Sequence, residues 1–341
     1  MTDDMGDGLT DRELLTIPFE PPSIHHVPLL AGETFTHHSQ VPAVLRSSPN
    51  TPVTLGIDEA GRGPVLGPMV YGCFYLPNTL HTSLLKDTHR FMDSKVLTPA
   101  MRLNLMQKIC SEDSDLYEQC GWATTSISAR DIAAHMLSPA RYNLNAQAMD
   151  ATIALIQQVI DKGVEVTEIY IDTIGQPAPY QKRLEKIFPR SRITVAKKAD
   201  SLYPVVSAAS VCAKVTRDIA LDICWREQRR QSSSNDILLA EDAEPVWGSG
   251  YPSDARCSTW LKQDMHPLFG WSNVCRFSWG TAQDLLEKSD IGTTAVWPNP
   301  EENEEDDNMR ISNFVRHTGT KSSEYDEMRN WYGQNVGADA W

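Results

Sequence analysis

Three apolar runs in this chain each deliver carboxylates where they stop, and no other feature constrains the fold as tightly. Residues 53–58 read as a strand ending on Asp58 and Glu59, just ahead of the turn Gly61-Arg62-Gly63-Pro64. Ile169-Tyr170-Ile171 ends on Asp172, and Ile193-Thr194-Val195-Ala196 is followed closely by Asp200. Between the strands lie segments of helical period. Residues 145–162 carry Ala148, Ile153, Ile156 and Ile160 on one face and stop at Gly163, and residues 180–188 follow as a second helix. Residues 69–76 and 122–127 read as further strands, with Ser128 as the N-cap of a helix starting near Arg130. A long helix over 204–230 is lined in its first half by Ser207, Ala208, Ala209, Ser210 and Ala213, which suits close packing. Strands alternating with helices predict an α/β domain.

Composition sets the limits of that domain. The 341 residues carry 31 Lys and Arg against 45 Asp and Glu, a net charge of −14. Taken whole, such acidity argues against a polyanionic partner. The charge is unevenly placed, however. Residues 1–50 hold seven acids and two bases, prolines and two His-His pairs, and predict a flexible extension with solvated histidines. Residues 291–341 hold ten acids and four bases, and predict an acidic, disordered tail. The stretch 51–290, with 28 acids and 25 bases, is nearly neutral. Residues 231–247 within it read as a polar loop insertion. No run of eighteen apolar residues is present, so no spanning helix is expected. The acidic N-terminus predicts no secretory leader. Seven cysteines without a Cys-x-x-Cys pair predict neither a disulfide framework nor a zinc site, and a reducing compartment.

Open α/β sheets bind ligands beyond the C-terminal ends of their strands, where these acids fall. Four carboxylates gathered there would repel one another unless a cation intervened, and such hard oxygen donors favour Mg²⁺ or Mn²⁺ over zinc. Spacing alone leaves a second possibility open, because an aspartate after a strand is commonly a turn or cap residue. Gly61-Arg62-Gly63 is no phosphate loop, since no Gly-Lys-Ser/Thr follows. The stretch 182–198 contains Lys182, Arg183, Lys186, Arg190, Arg192, Lys197 and Lys198, a solvated face or a phosphate-facing patch.

Gly56-Ile57-Asp58-Glu59-Ala60-Gly61-Arg62-Gly63-Pro64-Val65-Leu66-Gly67-Pro68 closely resembles the opening motif of type 2 ribonuclease H. Asp93-Ser94-Lys95, Tyr142-Asn143-Leu144-Asn145, Tyr170-Ile171-Asp172-Thr173, and the segment from Lys198 through Asp200 to Ser210 match further family segments. So do Gly248-Ser249-Gly250-Tyr251-Pro252 and Arg276-Phe277-Ser278-Trp279. The resemblance runs in order over about 51–288. Its Tyr-Asn-Leu-Asn and Arg-Phe-Ser-Trp segments resemble the eukaryotic branch, in which the catalytic polypeptide is one of three subunits.

The resemblance implies an α/β ribonuclease H-like fold, with a mixed central sheet flanked by helices and a smaller helical C-terminal region. It implies an endonuclease that hydrolyses RNA in RNA–DNA hybrids and incises 5′ of single ribonucleotides in duplex DNA. Asp58, Glu59, Asp172 and Asp200 match the family's metal acids, implying two Mg²⁺ ions, with Mn²⁺ as substitute. The Gly61-Arg62-Gly63 turn is implied to read the ribose 2′-OH, and Tyr251 to pack on the following sugar. Lys95, and with it Lys198 and Lys214, is implied to meet substrate phosphates. Two accessory subunits, a nuclear location and a role in removing ribonucleotides from DNA are likewise implied. Ile311-Ser312-Asn313-Phe314-Val315 lacks the paired aromatics of a sliding-clamp peptide.

Overall fold

The computed structural model describes residues 19–91, 97–139, 142–173, 175–232 and 246–288. From the N-terminus come α1 (His26–Leu30), β1 (Phe35–His38), α2 (Ala43–Ser47), β2 (Val53–Ala60) and β3 (Met69–Pro77). Next are α3 (Pro99–Cys110), α4 (Asp115–Gln119), β4 (Gly121–Ile127), α5 (Ala129–Leu137) and α6 (Leu144–Asp161). Then follow β5 (Val166–Asp172), α7 (Pro177–Ile187), β6 (Arg192–Ala196), α8 (Ala199–Leu202) and α9 (Pro204–Ser232). The C-terminal helices are α10 (Ala255–Gln263) and α11 (Gly280–Lys288).

The six strands form one sheet in the order β1-β4-β3-β2-β5-β6. β2, β5 and β6 run parallel, while β3, β4 and β1 are antiparallel to their neighbours, so the sheet is mixed as the resemblance implies. Both faces are covered, which is why β3 reads as a continuous apolar run and not an alternating one. On one face α6 and α7 pack Leu155, Ile156, Val159 and Leu184 against Leu55, Ile57 and Ile169. On the other lies α9, with α3 and α4 beside it. α9 approaches β2 so closely that a Cβ on Gly56 would sit 2.5 Å from the Val205 carbonyl oxygen. The small residues of its first half make that approach possible. A third apolar cluster joins the end of α9 to α10 and α11 through Trp247, Trp260, Trp271 and Leu261, and forms the helical C-terminal region.

Local signals placed the helices well. The Ser128 hydroxyl accepts the Asp131 N–H at 3.0 Å as the N-cap of α5, and Thr98 caps α3 in the same way at 3.2 Å. Among the described residues all cysteines are free thiols, as the absence of a Cys-x-x-Cys pair predicts. No described helix is long and apolar enough to cross a membrane.

The N-terminal segment departs from expectation. Residues 19–50 are not a flexible extension: β1 pairs antiparallel with β4, and Ile24 and Leu29 are buried in the C-terminal apolar cluster. Three of the four paired histidines are packed too, while His26 stays exposed beside Glu20. His25 Nε2 lies 3.2 Å from His37 Nδ1, the His37 ring sits 5.0 Å from Trp122, and His38 bonds Gln158 at 2.7 Å. Burial pushes the His37 pKa down to about 4. The segment escapes sequence reading because it supplies one four-residue strand and single-turn helices, too short for any period to emerge. The acidic tail, most of the 231–247 loop and residues 311–315 lie outside the described residues.

Candidate active site

β2 extends through Asp58 and Glu59 before the chain turns, so both acids are strand residues with successive side chains on opposite faces. Asp58 is buried beneath α9, whereas Glu59 lines a cleft of about 400 Å³ on the α6–α7 side. Asp172, the last residue of the adjacent parallel strand β5, lines the same cleft. Asp200 sits in the single turn of α8 that follows β6, and is also buried.

These four acids act on one another. Burial and the Glu59 charge hold the Asp58 carboxyl well above the usual carboxylate range, with Asp172 adding to the effect. Burial, with Asp172 and Asp200 adding to it, raises Glu59 to about 7 against the pull of Arg62 and Lys214. Asp172 is raised by burial and by Asp200, against the pull of backbone donors. The site is thus a pool of negative charge that two bases only partly offset. Its oxygens turn partly to the backbone: the Glu59 N–H donates to Asp58 at 2.8 Å and the Ala199 N–H to Asp172 at 2.7 Å. Among the described residues no three His, Cys, Asp or Glu side chains close tightly enough to coordinate an ion as they stand. The donor set is nevertheless the all-oxygen one that Mg²⁺ and Mn²⁺ take.

Beside the acids runs the Gly61-Arg62-Gly63 turn. Gly61 has φ +77°, and a Cβ there would meet the Pro68 carbonyl oxygen at 2.6 Å. The turn is anchored from behind through its carbonyls. Arg276, fully buried, donates to Gly61 O at 2.5 Å, Arg62 O at 3.1 Å and Gly67 O at 3.0 Å. The Trp279 indole N–H donates to Gly63 O at 3.0 Å, and the Arg276 guanidinium lies 4.8 Å over the Trp279 ring. Burial lowers the Arg276 pKa to about 9, so it stays charged at neutral pH. Every carbonyl of the three-residue turn is therefore bound by the Arg-Phe-Ser-Trp segment. Sequence alone assigns that segment no role, because periodicity cannot reveal a buried arginine.

Tyr251 meets the turn from the other side. Its Cε1 would lie 3.1 Å from a Cβ on Gly63, and its ring is 40% exposed with the Arg217 guanidinium 5.9 Å away. Arg62 donates to Asn145 across the cleft, which Tyr180 and Arg183 also line. The basic stretch divides. Arg183 faces the cleft, Lys182 and Lys186 are exposed on α7, and Arg192 pairs with Glu168 at 2.6 Å. Lys214, on α9, stands within electrostatic reach of Glu59, and Lys198 caps α8 beside Asp172. Lys95 lies outside the described residues.

The family model for ribonuclease HII matches residues 55–282 of this chain. The chain belongs to the ribonuclease HII family. Members of that family are endoribonucleases, and so is this chain. It is 53% identical to the A-type ribonuclease H2 subunit of Neurospora crassa over 328 residues, which cover 95% of this chain and 97% of that one. It is 40% identical to the corresponding human ribonuclease H2 polypeptide over 284 residues, covering 83% and 88%. Among solved structures, the ribonuclease H2 of Pyrococcus horikoshii OT3 superposes with a TM-score of 0.53 at 26% identity, covering 69% of this chain and 98% of that one. A ribonuclease HIII, Bst-RNase HIII in complex with Mn²⁺, shares the fold alone at 16% identity and TM-score 0.50, covering 74% of each chain.

Proposed function

We propose that this chain is the catalytic subunit of the ribonuclease H2 type that cuts RNA in RNA–DNA hybrids and incises 5′ of single ribonucleotides in duplex DNA. The observation that carries this reading is the turn next to the acids. Its three carbonyls are all engaged by Arg276 and Trp279, so the backbone edge left to a ligand is the N–H edge and the Cα atoms of Gly61 and Gly63. A rigid, side-chain-poor strip of this kind suits close approach to a sugar, and the 2′-OH is what separates RNA from DNA at one nucleotide. Tyr251, standing over Gly63, would pack on the next sugar and sense the RNA-to-DNA junction.

Asp58, Glu59, Asp172 and Asp200 would hold two divalent cations, Mg²⁺ or Mn²⁺. Bound there, the ions would supply an activated water and neutralise the departing oxygen. The chain's own residues do the rest. The turn and Tyr251 fix the ribonucleotide, Arg62 and Lys214 partly offset the acids, and the exposed Lys198 meets substrate phosphate, with Lys95 proposed for the same task. Hydrolysis would leave a 5′-phosphate and a 3′-hydroxyl. Work in the nucleus with two accessory subunits, in ribonucleotide removal, belongs to the same proposal; the names of the similar proteins, each a subunit of ribonuclease H2, support its multi-subunit part alone.

Assembled with its partners and given duplex DNA carrying one ribonucleotide, the chain should incise 5′ of that residue with Mg²⁺ and not with EDTA. Equal cutting of an all-DNA duplex would sink the reading.

A further inference from the structure

Lys198 is one of two non-glycine residues among those described with positive φ, at φ 56° and ψ 42°. This left-handed conformation disfavours any side chain with a Cβ, and a lysine has no special tolerance for it, unlike asparagine or glycine. The residue sits where β6 gives way to α8, two positions before Asp200. The backbone it bends is in contact with another acid of the site. The Ala199 N–H donates to Asp172 Oδ1 at 2.7 Å, and the N–H groups of Lys198 and Thr173 also lie against that carboxyl. Outliers of this type persist where the surrounding structure requires them, and they concentrate at functional sites.

We propose that Lys198 is a positioning residue acting through its backbone: its left-handed turn aims consecutive N–H groups at Asp172 and sets the face that this carboxylate presents to a divalent cation. The inference rests on the cation-binding reading of the four acids, and it gives the Lys198 dihedral angles a role separate from the phosphate contact of its ammonium. The Asp172 side chain has few rotamers. With its Oδ1 held by the Ala199 N–H, the carboxylate keeps one orientation, within electrostatic reach of Glu59 and Asp200. Without the turn, Asp172 would be free to rotate away. Partners that orient a metal ligand commonly affect metal affinity by about 10–100-fold when lost.

The two roles of Lys198 make opposite predictions. Lys198→Gly and Lys198→Asn remove the ammonium yet keep or ease the left-handed turn. Lys198→Val also removes the ammonium, but its branched Cβ resists positive φ. Mg²⁺ titration of the full chain, followed by the rise in melting temperature and by calorimetry, should give the Gly and Asn variants an Mg²⁺ affinity within about threefold of the wild type. The Val variant should bind about tenfold or more weakly. Gly and Asn variants as impaired as Val would overturn the proposal, because loss of a cation beside the acids cannot by itself weaken Mg²⁺ binding and the left-handed turn would then not be what sets the affinity. A Val variant that folds and binds Mg²⁺ like the wild type would overturn it as well. If the wild type itself shows no Mg²⁺ response that Asp58→Asn removes, the cation-binding reading falls and this inference with it.

Discussion

The acid cluster and the turn beside it lie one residue apart in the chain, yet they are built on opposite principles. From Asp58 to Asp200 the site gathers like charges in a buried place, and burial together with neighbouring carboxylates displaces Asp58, Glu59 and Asp172 upward. From Gly61 to Gly63 nearly everything is compensated: three carbonyls, one buried guanidinium and one indole N–H satisfy each other. One region stores electrostatic cost that a cation would relieve. The other uses hydrogen bonds to stay rigid whether or not a ligand is present. Removing a group from the first should therefore harm chemistry more than folding, and from the second folding along with recognition.

The largest effect expected is on activity. Asp58→Asn should lower kcat by more than about 100-fold while leaving hybrid binding largely intact, measured by single-turnover cleavage and by binding in Ca²⁺ or EDTA. Retained cleavage would remove Asp58 from the site. In the turn, Arg276→Ala should cost about 3–5 kcal/mol of stability, because it strands buried carbonyls that nothing else can satisfy. Arg276→Lys keeps the charge but not the planar fork, and should recover only part of that in chemical denaturation. Full recovery by Lys would show that charge, and not geometry, holds the turn.

Recognition gives a smaller contrast. Tyr251→Ala should lower kcat/KM on a single embedded ribonucleotide by about tenfold, roughly the value of one stacking contact, and affect long hybrids less. Equal losses on both substrates would contradict the junction role.

The two regions should also differ in their pH dependence. Glu59 titrates near 7 in the fold and near 4.5 when unfolded, so the native state binds more protons in between. Its contribution is fully present below pH 4.5 and is lost as pH rises through 7. Metal-free stability from the cluster should thus fall over that window, and saturating Mg²⁺ should flatten the slope. Arg276, at about 9, stays charged throughout and contributes no slope there. Taking the difference between Mg²⁺ and EDTA curves cancels His37, whose neutral buried ring pulls the other way as pH drops from 6.5 through 4. Smallest of all, Ser128→Ala should cost about 1 kcal/mol from the lost α5 cap and leave activity unchanged, since it touches neither region.

The same contrast explains what was legible in the amino-acid sequence. The acids could be located from the strand pattern, because Asp58, Asp172 and Asp200 fall where apolar strands stop. That pattern left a turn or cap role open, and only the flanking motifs pointed to metal. The long helix was visible from its small residues, and Ser128 from capping chemistry. The turn's support was not, since Arg276 and Trp279 reach Gly61–Gly63 across more than 200 residues and follow no local period. Likewise, β1 escaped because an edge strand of four residues carries no alternation long enough to detect, and its partner β4 lies far along the chain. The strained backbone of Lys198 was equally invisible, because dihedral angles leave no mark on composition.

On the proposed reading the four acids form a repulsive pool that a divalent cation completes. Melting temperatures of the wild type and Asp58→Asn at about pH 7.5, each with EDTA and with saturating Mg²⁺, test it most directly. The wild type should gain roughly 5 °C with Mg²⁺. Asp58→Asn should gain little, and should melt above the wild type in EDTA because it removes a carboxyl whose charge burial and Glu59 disfavour. Equal Mg²⁺ shifts in the two proteins, or an Asp58→Asn variant less stable in EDTA, would contradict the account.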